Sequence, residues 1–156
     1  MANRRQGESS DGGTESKAPA NGGCSTIKLV VPQQAEYLAV CRLVAGALGA
    51  QEAADEETIA DLKLMVTEAC NCFLSRQSGG EYPAGIEVEF ASLPGAVAIT
   101  VADPDRRFQL QPAHDEQGRL TETGLALTIV RALADDFEQT GSESGGSVLR
   151  LIKRLR

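Results

Sequence analysis

Residues 86–103, IEVEFASLPGAVAITVAD, set two apolar, β-branched runs either side of Leu-Pro-Gly. Runs of this kind read as strands, and so short a Pro-Gly link closes them as a hairpin. A hairpin makes neighbours antiparallel, whatever the rest of the chain does. Upstream, STIKLVVP (25–32) reads as a strand ended by Pro32, and QQAEYLAVCRLVAGALG (33–49) as a helix. Leu38, Cys41, Ala45 and Leu48 share one face of that helix, and Gly49 is its expected stop. A second helix is expected from Glu56 to Ser75, followed by the turn-rich SGGEYPAG.

Residues 103–122 show no sustained period and read as a long loop, a feature usually functional or mobile inside a compact domain. GLALTIVRALADDFE (124–138) is apolar almost all round and reads as a buried helix. In the closing GSVLRLIKRLR, Leu149 and Leu151 alternate with Arg150 and Ile152 as in a strand. Together these elements predict an α/β two-layer sandwich: a mixed, mainly antiparallel sheet covered on one face by about three helices.

At 156 residues the chain suits one domain. Residues 1–24 are mostly Gly, Ser, Asn and charge, too poor in apolar surface to offset the entropy of ordering, and are expected as a disordered tail before a domain at 25–156. The net charge of -7 and the absence of a long basic run argue against direct nucleic-acid binding. No apolar stretch is long enough for a membrane span and the N-terminus has no apolar signal region, so a soluble cytoplasmic protein is expected. Cys24, Cys41, Cys70 and Cys72 have neither disulfide-framework nor zinc spacing and read as small buried thiols. His114 is the only histidine, which leaves a His-based triad or zinc centre without support.

One polar residue stands out on the second helix. At about 100° per residue, Ile59, Leu62, Val66, Ala69 and Phe73 form the core stripe, with Glu68 roughly 140° from its centre. Its neighbours one turn away are Leu64, Met65 and Cys72, which are not solvent-facing residue types. Helix geometry admits two readings: a surface glutamate beside tolerated apolar residues, or a carboxylate in a pocket wall whose burial suits it to general-base work.

The order of segments resembles a known family. IADLKLMVTEACN, AITVADPDRRF, TETGLALTIVRALADDFE and GSVLRLIKRL are similar, in sequence order, to the N-box, two glycine boxes and final strand of the Bergerat-fold ATPases. EYLAVCRLVAGALG resembles the first helix of the anti-sigma factor serine kinases of the RsbW and SpoIIAB type, and the likeness covers residues 27–155. It implies a cytoplasmic, usually homodimeric protein that holds a sigma factor from RNA polymerase and yields it to a STAS-type anti-anti-sigma protein. Active members bind ATP with Mg2+ and phosphorylate a serine on that antagonist.

Carried over by position, the resemblance makes Glu68 the base that accepts the serine proton. Magnesium is expected at an asparagine, but Cys72 holds that position and Asn71 comes one residue early, about 60° from Glu68. A thiol is a poor ligand for so hard an ion. Asp103 matches the aspartate that accepts from the adenine amino group, although capping the loop after a strand is its alternative. Asp105 and Arg107 replace glycines, with Arg106 and Arg107 set to offset the added negative charge. In the second box Gly124 fits either a phosphate role or a plain helix entry, and Ala126 stands where a second glycine is usual. Ser147 matches the small hydroxyl residue of the last strand, on the adenine side.

The adenine side and the base are thus kept while the magnesium and phosphate side is altered, and phosphoryl transfer depends most on the altered side. The expectation is an anti-sigma factor with weakened or lost ATP use, and the alternative an active serine kinase. Tyr37 and Arg42 read as partner-facing or snorkelling side chains of the first helix.

Overall fold

A computed structural model describes residues 24–74 and 85–156. The expected tail lies outside the described residues, apart from Cys24, as does all of SGGEYPAG but Gly85. The described elements are β1 (Thr26–Val31), a single 3-10 turn (Ala35–Tyr37), α1 (Leu38–Gln51), α2 (Glu56–Asn71), β2 (Ile86–Leu93), β3 (Ala96–Ala102), α3 (Glu122–Leu133), β4 (Asp136–Gly141) and β5 (Ser147–Arg154). Five strands form one sheet in the order β1-β2-β3-β5-β4. Every pairing is antiparallel, so the mixed part of the expected sheet is absent among the described strands. The hairpin turns at Pro94 and Gly95, with Leu93 opposite Ala96 and Gly95 in the left-handed region at φ 69°.

Strand alternation decides which face is covered. Val88 and Phe90 of β2, Ile99 and Val101 of β3, and Leu149 and Leu151 of β5 are fully buried against the stripe Leu62, Val66, Ala69 and Phe73 of the α2 segment. The expected α1 face of Leu38, Cys41, Ala45 and Leu48 is buried in the same core. Gly49 is not the end of α1, which runs on to Gln51. A Cβ at Gly49 would stand 2.9 Å from Ile59 Cγ1 and 3.2 Å from Leu62 Cδ1, so this glycine lets α1 approach α2.

Three further boundaries differ from expectation. α2 stops at Asn71 rather than Ser75, with Cys72 as its C-cap. α3 starts at Glu122 because the Thr121 side chain accepts from Gly124 N, and it ends at Leu133 because Ala134 turns to an extended backbone, ψ 141°. Residues 136–138, expected as helix, begin β4, a polar strand whose one large apolar residue, Phe137, gives no alternation to read. Lys153 fastens these elements together: its Nζ lies 2.8 Å from Asp61 Oδ2 of α2 and donates to the Leu133 carbonyl at 2.8 Å.

Candidate functional site

The C-terminal end of α2, the start of α3 and the segment after β3 enclose a cleft of about 670 Å³. Glu68, Asn71, Cys72 and Ala126 all line it, so four of the residues singled out in the sequence meet in one place. Glu68 is half-buried there; beside it Met65 and Cys72 are buried while Leu64 faces solvent. Of the two readings of Glu68, its place at the cleft fits the pocket wall, with Cys72 beside it and Leu64 outside. Cys72 folds back on its own helix, its amide 3.3 Å from the Glu68 carbonyl and its Sγ donating to that same oxygen at 3.4 Å. Burial, and then the Glu68 charge, push the thiol up to about 12. It stands at the cleft as a protonated donor.

Asp103 and Ser147 do not line this cleft. Asp103 is 3 % exposed, and its carboxylate accepts from the amides of Asp105 (3.2 Å), Arg107 (2.9 Å) and Phe108 (3.1 Å). Ser147 lines a second cleft of about 600 Å³, and its Oγ accepts from Leu110 N at 3.1 Å while its amide donates to the Phe108 carbonyl at 2.7 Å. Residues 108–111 run between the two clefts: Phe108 and Gln111 line the first, Gln109 and Leu110 the second.

The backbone around this segment is closely fitted. Arg106 takes the left-handed region at φ 56°, which costs a non-glycine residue roughly 1–2 kcal/mol. Its guanidinium offsets that cost by donating to the Asp103 carbonyl at 2.8 Å and to Glu87 Oε1 at 2.7 Å. A Cβ at Gly146 would collide with the Arg106 backbone, and one at Gly124 with the Ala113 carbonyl. Gly124 thus admits a close approach by its own chain, and its amide is taken by Thr121 Oγ1 at 3.0 Å. Phe108, Glu87 and Gly146 were missed in the sequence, where a lone Phe in a polar loop and a strand glutamate carry no periodic signal. Only the Gly-Gly pair at 145–146 hinted at a close backbone approach.

A family model described as the histidine kinase-like ATPase domain matches residues 31–153. The chain belongs to the histidine kinase-like ATPase domain family. Among its curated relatives are proteins named serine-protein kinase RsbW. That of Oceanobacillus iheyensis is 28% identical over 121 residues, 72% of this chain and 77% of its own length. That of Bacillus licheniformis is 27% identical over 141 residues, 83% and 88% of the two chains. The Bacillus subtilis protein is 24% identical over 119 residues, 70% and 74%. A solved structure of the RsbU and RsbW domains of a Mycobacterium tuberculosis protein shares the fold, with a TM-score of 0.62 at 20% identity, covering 84% of this chain and 32% of that one. These relatives bear out the resemblance to the RsbW type.

For a histidine kinase-like ATPase domain, the donor set here fits a magnesium-bound triphosphate poorly. Beside Glu68 stands a protonated thiol, and the exposed Asn71 amide is the nearest substitute. At the start of α3, Gly124 N and Leu125 N are already bonded to Thr121, and the first turn carries Glu122 into the cleft. A carboxylate at that position competes with phosphate for the helix N-terminus.

Proposed function

We propose that the chain is an anti-sigma factor that sequesters an RNA polymerase sigma factor, is countered by a STAS-type anti-anti-sigma protein, and makes weak use of ATP or none. Its relatives named RsbW support the class. The observation that carries the weakened ATP use is the internal commitment of Asp103 and Ser147, whose polar groups are bonded by residues 105–110. On this reading the output is occupancy of the sigma factor, as a cytoplasmic homodimer. A partner of that kind is held by packing and charge complementarity, which need no phosphoryl transfer.

A second reading, a serine kinase acting on the antagonist, draws on Glu68. Its carboxylate lines an open cleft of a size that admits a serine-bearing segment, as a general base must. Copurification with the sigma factors of its own organism separates the two. A sigma complex that forms without nucleotide and dissolves on adding the unmodified antagonist is expected. Transfer of labelled phosphate to the antagonist, abolished by Glu68→Gln, would establish the kinase instead.

A further inference from the structure

Phe108 touches three things at once. Its amide donates to Asp103, its carbonyl accepts from Ser147, and its ring lies 5.7 Å from that of Phe73, at the wall of the cleft that holds Glu68. The residues on either side are held as firmly. The Arg106 carbonyl accepts from Gly146 N at 2.9 Å and from Ser142 Oγ, and Gln109 Nε2 donates to the Gly145 carbonyl at 2.8 Å. Apart from the bond between Phe108 and Asp103, which closes the segment on itself, these contacts join residues 103–110 to the β4–β5 hairpin or to the core. Among the described residues, one side-chain hydrogen bond ties the segment across to β2: Arg106 Nη2 on Glu87 Oε1, with Lys28 of β1 at 3.4 Å from the same oxygen.

We propose that residues 103–110 form an intramolecular strap beside the cleft, with Phe108, which lines it, as its plug and the Glu87–Arg106 contact as its latch. The strap satisfies the same polar groups that an adenine would use and sets the Phe108 ring on Phe73 at the cleft wall. It therefore competes with nucleotide directly, and an entering base has to displace Phe108 from Phe73. The left-handed backbone at Arg106 makes the closed form depend on the latch: with the guanidinium released, that conformation loses its compensating bonds and the strap relaxes. The inference rests on the reading above, in which any nucleotide meets Asp103 and Ser147.

Amide hydrogen exchange on the full chain, resolved by residue, reads the strap without reference to activity. In Glu87→Gln the amides of Arg107, Phe108 and Leu110 are expected to exchange about tenfold faster, the size of one lost charge-assisted bond, with β3 amides unchanged. Unchanged strap exchange would overturn the latch. In Phe108→Ala a fluorescent ATP analogue, mant-ATP, is expected to bind about tenfold more tightly than to the parent chain. A variant that keeps its β3 protection and binds no better overturns the plug. Should Phe108→Ala not fold, Phe108→Leu keeps the apolar bulk and loses the ring, with the same outcomes read. If the strap opens in Glu87→Gln and mant-ATP binds neither variant at millimolar concentration, the latch stands and the placing of nucleotide at Asp103 and Ser147 falls.

Discussion

Cys72 shows how one atom type redirects a site. Its thiol is buried, donates to the Glu68 carbonyl and is pushed up to about 12, so at neutral pH almost none is thiolate. Iodoacetamide at pH 8 is expected to label exposed Cys24 in the native chain and to spare Cys41, Cys70 and Cys72, with all four labelled after unfolding. Mass spectrometry checks this, and rapid native labelling of Cys72 would show a thiol activated rather than suppressed. Asp103 is the second decisive residue. Asp103→Asn replaces a charged acceptor of three backbone amides, so denaturant unfolding is expected to show a loss of about 2 kcal/mol. Glu68, Asn71, Cys72 and Ala126 were readable in the sequence because helix geometry and box order fix them. The bonding of Asp103 was not, since it depends on a loop whose shape has no period.

Strands and helices with a strong period were readable where they carry the core, as in β2, β3, β5 and the buried faces of α1 and α2. β4 was lost because it is short, polar and preceded by no glycine or proline, so its residues read on as helix. Its place in the sheet comes from pairing with β5, a tertiary gain that local propensity does not contain. The same holds for the Lys153–Asp61 pair joining β5 to α2 and, through Leu133, to α3. Lys153→Ala strands the Asp61 carboxylate and a helix-end carbonyl, and is expected to cost about 3 kcal/mol. Replacing both partners, as Lys153→Met with Asp61→Leu, is expected to recover part of that loss in the same unfolding assay. Thr121→Ala is expected to cost about 1 kcal/mol through the cap of α3.

The open antiparallel sheet with its helical layer places β2, β3 and the β4–β5 hairpin around one strap, and this convergence links the chain's pH response to its cleft. Burial raises the Glu87 pKa, but hydrogen bonding and charge from Arg106, with the charge of Lys28, outweigh it and leave the carboxyl below its usual range. A carboxyl lowered by folding contributes stability above its unfolded value, about 4.3, and loses it as pH falls through the folded value. Strap exchange, corrected for its intrinsic rate, is therefore expected to stay flat from pH 8 to about pH 5 and to rise below about pH 4. Glu87→Gln is expected to weaken that dependence, the Asp103 carboxylate still holding the amides of the strap.

Calorimetric titration of Mg-ATP into the chain tests most directly the proposal that it makes weak use of ATP or none. Heat too weak to fit below millimolar ATP, unchanged when magnesium is removed, is the expected result. Tight, magnesium-dependent binding in the micromolar range would contradict it.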